Sequence, residues 1–283
     1  MPIHQQDLSS HTHRIDVSSG FVELVSVNGT DAGIDTVARV EFESTDPRMP
    51  NDVDSLLSYM LRHAHTSPFE FANMTLKVRC PVFVARQWFR HRTGHFSEVS
   101  GRYKDVAELG AYAPTVEALR GKAPNRKQGS ADEQISDAAD VQRKWSEYYQ
   151  RGEELYHAFV YDHGLSKEVA RGVLLQSNFT EFYFQLDLHN MLNFVRLRAH
   201  STAQFHMVEY ADAIKRLIAV CFPITHRNFV NHVLHSVRFS ADELSVLRVD
   251  DAALKSASIR LSKGRYTELL EKVSKIRESQ NKT

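Results

Sequence analysis

The sequence predicts one α+β domain in which a small, mostly antiparallel sheet is flanked by long helices. Alternating apolar and polar residues at positions 20–27 and 71–78 are typical of strands. The region from 136 to about 222 has the pattern of long helices. A length of 283 residues with 42% apolar side chains suffices for a sizeable core.

Local signals place the elements of the first half. Asn28-Gly29 marks a turn after the first strand. Asn51 or Asp52 can cap a helix, because a side-chain oxygen there accepts from exposed N–H groups. Pro81 suits the first turn of another helix. The predicted elements are a strand at 20–27, a helix at 33–43, a helix from 52 to near His65, a strand at 71–78, a helix at 82–91 and then a loop.

The second half is predicted to be helical after a polar loop. Residues 120–135 are rich in Pro, Gly, Lys and Arg, which indicates an exposed loop. The predicted helices lie at 136–163, 166–176, 183–200, 203–221 and within 240–280. The polar residues 1–20 are predicted to be mobile.

Composition excludes several classes of function. The 35 basic and 35 acidic residues cancel, which argues against wholesale binding to nucleic acid or to a membrane. No apolar run approaches the roughly 18 residues of a spanning helix, and the polar N-terminus lacks a secretion signal. Cys80 and Cys221 lie among apolar residues, which predicts buried free thiols in a reducing compartment. We therefore expect a cytoplasmic protein.

The segment from Arg90 to Tyr103 concentrates polar chemistry. It holds three arginines, two histidines, two serines and one carboxylate. A guanidinium grips phosphate or carboxylate through two parallel hydrogen bonds, and the aromatic residues nearby suit stacking on a flat heterocycle. The segment indicates an anion site, the alternative being solvated arginines after a helix. His91 and His95 are four apart, but Gly94 is expected to end the helix between them, so no metal site is predicted.

A second cluster lies in the predicted helical stretch that includes Arg198. At 100° per residue His189 and Asn193 fall on one side, and Asp187 and Arg198 fall on another. One helix could therefore present different groups to two ligands, although an ordinary surface helix gives the same pattern. Arg171 lies in an otherwise apolar stretch, where its guanidinium either reaches water or meets an anion.

The motif Arg90-His91-Arg92, seven residues, then Ser100 resembles the signature of flavin-dependent thymidylate synthases, the ThyX family. Five segments resemble family segments in the same order. They are HTSPFEF, PVFVARQWFRHR, SGRY, KEVAR and MLNFVRLRAHSTAQF. The resemblance extends from about residue 20 to about residue 230.

The resemblance implies a ThyX-like fold and the synthesis of dTMP from dUMP. Methylenetetrahydrofolate would supply the carbon, and FAD reduced by NADPH would supply the hydride. The implied assembly is a homotetramer whose sites are each built from several chains. The implied division is a mobile segment at 1–20, a catalytic domain at 21–235 and a helical extension at 236–283, for which structural packing is the favoured role.

The resemblance also implies roles for individual residues. The residues implied to hold dUMP are Gln87, Arg90, Glu98, Val99, Ser100, Gly101, Arg102, Arg171 and Arg198. The residues implied to line the FAD site are Ser67, Arg90, His91, Arg92, Glu98, Asp187, His189 and Asn193. Arg198 would lie beside the uracil as the catalytic residue and favour ionisation at its N3, while His65 would lie near flavin and folate.

The residue types agree with these implied roles. Ser100, Arg102 and Arg171 offer hydroxyl and guanidinium donors for a phosphate, and a fixed cation stabilises negative charge on a uracil ring. Neither cysteine lies in an activating context, so no thiol nucleophile is expected. No G-x-G-x-x-G follows a strand, so FAD would not be held by a Rossmann fingerprint.

Two other functions stay open at this point. A module that binds nucleotides or nucleic acid could use the basic residues of 79–104, although zero net charge weighs against it. A different flavoenzyme on the same scaffold could retain FAD but take another pyrimidine or omit folate.

Overall fold

An antiparallel sheet organises the fold. The computed structural model describes residues 13–40, 52–123, 130–200, 203–240, 243–244, 247 and 249–280. The strands are β1 (Arg14–Val17), β2 (Gly20–Asn28), β3 (Asn73–Pro81), β4 (His95–Glu98), β5 (Arg120–Lys122), β6 (Ser130–Gln134) and β7 (Phe179–Asp187). The sheet has the strand order β1-β2-β3-β7-β4, and strands β5 and β6 form a separate hairpin. The predicted α+β class with a mostly antiparallel sheet is confirmed.

Helices connect the strands of the sheet, and further helices follow it along the chain. They are α1 (Asp31–Arg39), α2 (Val53–His63), α3 (Val82–Trp88), α4 (Ala138–His157), α5 (Lys167–Ala170), α6 (Leu188–Arg198), α7 (Phe205–Cys221), α8 (Pro223–Phe229), α9 (Asp251–Arg260) and α10 (Lys263–Gln280). A π-helical turn at Ala158–Asp162 continues α4, and a 3₁₀ turn at Arg171–Val173 continues α5. Among the described helices, no helix is long and apolar enough to cross a membrane.

Strand β3 is the central strand of the sheet, and its side chains alternate between core and surface. Met74, Leu76, Val78 and Cys80 are buried, while the residues between them are partly exposed. This pattern follows from the period of two in a strand. The predicted buried face is therefore confirmed, with the strand beginning and ending slightly later than expected.

Trp88, at the end of α3, is the centre of the aromatic core. Its ring centroid lies 5.0–5.6 Å from those of Phe182, Phe184, Phe194 and Tyr210. These rings come from β7, α6 and α7, so one fully buried indole packs three elements together. The end of α3, where the arginine-rich segment begins, is thereby held against the sheet.

The predicted helix at 183–200 is wrong over its first five residues, which belong to β7. Thr180, Phe182, Phe184 and Leu186 are buried at alternate positions of this strand. The helix begins only after Asp187, whose Oδ1 accepts from the Asn190 N–H at 2.8 Å. Strand pairing on both edges of β7 overrides the helical pattern read from its sequence.

Three predicted loops or mobile segments contain strands. The loop expected after 91 includes β4, which pairs with β7, and α3 ends at Trp88 rather than at 91. The segment 1–20 was expected to be mobile, but its residues 14–17 form β1, while 1–12 lie outside the described residues. The loop expected at 120–135 contains the β5–β6 hairpin, and its residues 124–129 also lie outside them. Strand β4 takes its form from a partner far along the chain, whereas β1 pairs with the adjacent β2 and β5 pairs with β6. In all three cases the polar composition of the segment conceals the pairing.

The other predicted elements agree with the structure more closely. Asp52 caps α2, with its Oδ1 accepting from the Ser55 N–H at 2.8 Å. Helices were predicted where α4, α7, α9 and α10 occur, whereas α8 was not predicted. The predicted helix at 166–176 is reduced to α5 and the 3₁₀ turn after it.

The chain divides into two compact units, residues 1–234 and 235–283. In the second unit α9 contacts α10, and Arg277 forms an ion pair with Asp251. Leu254 and Val273 are the buried apolar residues described in these two helices.

Asp31, at the start of α1, also holds the start of α8. Its carboxylate accepts from the Ile224 N–H at 2.8 Å, the Thr225 N–H at 3.0 Å and the Thr225 hydroxyl at 2.6 Å. The first N–H groups of a helix have no partner within the helix. A buried aspartate far away in sequence satisfies them here.

We expect Asp31→Ala to lower the free energy of unfolding by about 2–4 kcal/mol, because buried donors of α8 lose a charged acceptor. The measurement is urea unfolding followed by circular dichroism. Asp16→Ala, which removes an exposed ion pair with Arg14, should change stability by no more than about 0.5 kcal/mol. Equal effects of the two substitutions would contradict this role of Asp31.

Candidate active site

Helix α6 begins immediately where β7 ends, and this junction orders several predicted site residues. Asp187 accepts from the Asn190 N–H through Oδ1 and from its side-chain amide through Oδ2, at 2.8 and 2.7 Å. His189 and Asn193 lie four apart on α6, as predicted, and both are half-buried. Asn193 Oδ1 accepts from Arg196 at 2.8 Å.

A short 3₁₀ turn, Ser67–Phe71, packs against α6. The Leu188 N–H donates to the carbonyl of Ala72 at 2.8 Å, which ties the end of this turn to the start of the helix. Ser67 begins this turn and His65 lies two residues before it, and both are exposed.

His91 is the buried member of the Arg90-His91-Arg92 motif. Its ring lies 5.3 Å from that of Phe194, centroid to centroid, and its Nε2 has no hydrogen-bond partner among the described residues. Burial and the charge of Arg198 lower the pKa of His91, although the backbone of Asn190 and the charge of Asp187 oppose this. The imidazole is thus neutral at neutral pH, while the flanking Arg90 and Arg92 are exposed.

Arg198, at the end of α6, is a half-buried cation with unused hydrogen-bonding capacity. Its Nη2 donates to the backbone carbonyl of Gln87 at 3.3 Å. Its Nε is buried and has no partner among the described residues. Burial lowers the pKa of Arg198 from its ordinary value. Because a guanidinium stays charged at neutral pH, this group is suited to receive an anion or a polar carbonyl.

A second group of predicted residues surrounds Gly101, which is buried. A Cβ at this position would lie 3.2 Å from Cδ of Arg171, so the glycine allows the arginine to approach closely. Arg102 lies beside it, with its N–H donating to Ser100 Oγ at 3.3 Å. Gly101, Arg102 and Arg171 are therefore brought together, as anion binding requires.

Glu168 is a member of this group that the sequence analysis did not single out. Arg102 forms an ion pair with its carboxylate at 3.3 Å, and Arg171 Nε donates to its backbone carbonyl at 3.2 Å. The ion pair is exposed on both sides and is therefore weak. The signal available in the sequence was an acidic residue three positions before Arg171.

Glu98 and Val99 connect the segment after Arg92 to strand β7. Thr180 donates its hydroxyl to Glu98 Oε1 at 2.7 Å, and the Val99 N–H donates to the Glu181 carbonyl at 2.9 Å. The loop that carries Ser100 and Gly101 thus begins from a fixed point on the sheet.

Several predicted residues remain apart within this chain. The side chains of Arg90, Arg92, His65 and Ser67 form no hydrogen bond or ion pair with another predicted site residue in the described part of the chain. A cavity of about 500 Å³ contains none of the predicted site residues. It is lined by Phe83, Val141, Lys144, Trp145, Tyr148, Leu175, Gln176 and Ser177.

Neither cysteine is an activated thiol. Both are free, as predicted, with Cys80 buried and Cys221 only half-buried. Burial raises the pKa of Cys80, and it raises the pKa of Cys221 to about 11. Both thiols are protonated at neutral pH and are therefore poor nucleophiles. The described residues also contain no cluster of three or more His, Cys, Asp or Glu that could hold a metal.

Comparison with solved structures links this fold to nucleotide methylation. The UMP/dUMP methylase PolB from Streptomyces cacaoi bound with 5-Br UMP has a TM-score of 0.68 and 31% identity, covering 79% of this chain and 100% of that one. The same methylase bound with 5-Br dUMP has a TM-score of 0.65 and 29% identity, covering 76% and 97%.

Comparison of sequences gives the family. The thymidylate synthase complementing protein family matches residues 23–224. A flavin-dependent thymidylate synthase of Treponema denticola is 36% identical over 235 residues, which cover 82% of this chain and 87% of that protein. An enzyme of the same name from Thermus thermophilus is 37% identical over 265 residues, which cover 91% and 94%. Since these matches extend over most of its length, the chain belongs to the flavin-dependent thymidylate synthase family.

Proposed function

We propose that the protein methylates dUMP to dTMP, with 5,10-methylenetetrahydrofolate as carbon donor and NADPH-reduced FAD as hydride source. Membership of the family supports this reaction, and so do the uridine nucleotides bound to the similar Streptomyces methylase. The structural observation that carries the proposal is Arg198, a half-buried cation whose Nε has no partner among the described residues. The hydrogen bond to the Gln87 carbonyl fixes this cation in place. A fixed cation suits a ligand that gains negative charge during reaction.

The residues around His91 fit a large anionic cofactor such as FAD. The buried Nε2 of His91 needs a hydrogen-bond partner, which a bound ligand would provide. The exposed Arg90 and Arg92 can neutralise phosphate groups. When bound and reduced, FAD would supply the hydride. The residues proposed to hold it are Ser67, Arg90, His91, Arg92, Glu98, Asp187, His189 and Asn193, with His65 near flavin and folate.

The group around Gly101 fits the phosphate of dUMP. Ser100 and Arg102 lie on the loop that leaves β4, and Arg171 approaches the same glycine. A phosphate there would receive hydroxyl and guanidinium donors, and would compete with Glu168 for Arg102. The residues proposed to bind dUMP are Gln87, Arg90, Glu98, Val99, Ser100, Gly101, Arg102, Arg171 and Arg198.

Arg198 is proposed as the residue that activates the uracil. The ring carbon C5 must become electron-rich to attack the one-carbon unit. A fixed cation favours ionisation at N3 and stabilises negative charge on the ring. The two cysteines, both protonated and outside the groups described above, take no part as nucleophiles.

We also propose a homotetramer in which each site is built from several chains. Arg90, Arg92, His65 and Ser67 extend from the single chain into solvent. A second copy that covers them would exclude water, which strengthens electrostatic interactions at the site. A cytoplasmic location is consistent with the two free cysteines.

Methylation of UMP is a second candidate, because the similar Streptomyces methylase binds both 5-Br UMP and 5-Br dUMP. We expect the purified protein, after incubation with FAD, to show a bound-flavin absorption spectrum that changes on addition of dUMP. A larger change with UMP, together with methylated UMP as product, would favour the second candidate. A protein that binds no flavin would contradict both candidates.

We expect Arg198→Lys to lower turnover by about 100-fold or more, because lysine keeps a charge but lacks the planar set of donors. Flavin binding should change much less. Turnover is measured by dTMP formation, and flavin content by absorbance. The matched control is Arg216→Lys on the exposed surface of α7, which should behave like the unsubstituted enzyme. Unchanged turnover in the Arg198 variant would remove this residue from its proposed role.

We expect Arg171→Ala to raise the KM for dUMP by about 10- to 100-fold, because a charge-assisted phosphate contact is lost. The effect on kcat should be smaller, and flavin affinity should be retained. Steady-state kinetics with varied dUMP provides the measurement. Arg151→Ala, at an exposed ion pair on α4, is the control. A loss confined to kcat would argue against phosphate binding by Arg171.

A further inference from the structure

Asp105 is a buried carboxylate to which the proposed function gives no role. It lies four residues after Gly101, just beyond a turn in which the Lys104 N–H donates to the Ser100 carbonyl at 3.0 Å. Only 5% of Asp105 is exposed. A charged group that loses its water needs hydrogen bonds or an opposite charge in return. The partners of this carboxylate therefore show which parts of the chain it holds together.

The partners of Asp105 lie on its own loop and on two other elements. Oδ2 accepts from the Tyr161 hydroxyl at 2.8 Å, and Nζ of Lys167 lies 3.7 Å from the same oxygen. Tyr161 belongs to the π-helical turn that continues α4, and Lys167 is the first residue of α5. Oδ1 accepts from the Ala107 N–H at 3.2 Å. The carboxylate therefore ties the loop after β4 to both segments that precede Arg171.

This carboxylate is charged at neutral pH. Burial would raise the pKa of Asp105, but the hydrogen bond from Tyr161 and the charge of Lys167 hold it below its ordinary value. The buried Tyr156 also lies close, since burial and then the charge of Asp105 raise the pKa of its hydroxyl to about 12. Tyr156 is therefore neutral at neutral pH. The negative charge of Asp105 thus lies beside the ammonium group of Lys167, and the two attract each other.

Packing connects the position of this carboxylate to the proposed phosphate site. A Cβ at Gly101 would lie 3.2 Å from Cγ2 of Val106 and 3.2 Å from Cδ of Arg171. The buried glycine is therefore in close contact with the residue that follows the carboxylate and with the arginine. Ala107 and Ala170, the sequence neighbours of these two residues, are buried in one apolar cluster. A shift of the loop relative to α5 would change the gap in which Gly101 and Arg171 meet.

We propose that Asp105 is a positioning residue that fixes the spacing between Gly101 and Arg171 at which both can bind the phosphate of dUMP. The inference rests on the proposed function, since it takes this phosphate to lie between the loop and Arg171. A guanidinium displaced by about 1 Å loses the geometry of its paired hydrogen bonds. The affinity for the phosphate then falls although every donor is still present. Asp105 acts through Arg171, and its own negative charge is directed at Tyr161 and Lys167.

We expect Asp105→Ala to raise the KM for dUMP by about 10-fold, because Arg171 is displaced, and to change kcat by less than about threefold. The FAD-loaded enzyme is assayed by dTMP formation, and the Kd for dUMP is measured by calorimetry. Asp31→Ala is the matched control, because it removes a buried carboxylate that holds α8 instead. Its KM should equal that of the unsubstituted enzyme. An equal rise of KM in both variants, or a loss confined to kcat, would overturn the inference.

A double substitution separates positioning from a general loss of stability. If Asp105 acts through Arg171, the combination of Asp105→Ala with Arg171→Ala should have the KM of Arg171→Ala alone, within about twofold. Independent effects would multiply to a KM about 10-fold higher than that of the Arg171 variant, which would overturn the inference. If Asp105→Ala does not fold, Tyr161→Phe removes one hydrogen bond to the same carboxylate from an exposed ring. It should raise the KM by about threefold or more, and only while Arg171 is present.

The outcomes distinguish this inference from the proposed function. If the unsubstituted enzyme forms dTMP and the KM is unchanged in Asp105→Ala, or in Tyr161→Phe where that variant is needed, the inference is wrong and the proposed function stands. If the unsubstituted enzyme binds dUMP but forms no dTMP, the proposed reaction is wrong, and the Kd values for dUMP still decide the inference. An enzyme that binds no dUMP would overturn both.

Discussion

The pairing of β7 with both of its neighbours is the constraint on which the site depends. Along one edge it is hydrogen-bonded to β3 from Asn73↔Asp187 to Pro81↔Phe179, and along the other it is bonded to β4. Its last residue caps α6, so the register of the strand determines where Arg198 lies. The loop that carries Ser100 and Gly101, proposed to bind the phosphate, is also fixed to β7 by the hydrogen bond from the Val99 N–H to the Glu181 carbonyl. One strand therefore sets the separation between the two groups proposed to hold the two ends of the nucleotide.

Burial at the site leaves polar atoms that no residue in the described ranges satisfies. Nε2 of His91 and Nε of Arg198 are buried without a partner among the described residues. Such an atom costs about 1–3 kcal/mol if nothing replaces the lost water. A ligand that supplies the missing hydrogen bonds removes this cost and stabilises the folded state in proportion to its occupancy. Folding and ligand binding are thereby coupled at the same residues.

The sequence predicted the parts of the fold that depend on local chemistry. The alternation around Leu76 and the cap at Asp52 are local signals, and both were interpreted correctly. Strand β4 has a polar sequence and takes its extended form from pairing with β7. The sequence at the end of β7 has a pattern that predicts helix, so it was read as part of the helix that follows. The residues of the site were predicted through resemblance. Their supports, such as Glu168 for Arg102 and Gln204 for Gln87, are contacts between separate elements and leave little trace in the sequence.

Burial lowers the pKa of the arginine and of two histidines in this region, but it leaves them in different charge states at neutral pH. It lowers the pKa of Arg198 from an ordinary value of 12.5, and the side chain stays charged at neutral pH. It lowers the pKa of His91 and His206 from 6.5, and these side chains become neutral. The neutral imidazoles add no charge to this region, whereas Arg198 keeps a permanent positive charge there. If the base lies beside Arg198 as proposed, this permanent cation would stabilise negative charge that appears on the ring during reaction.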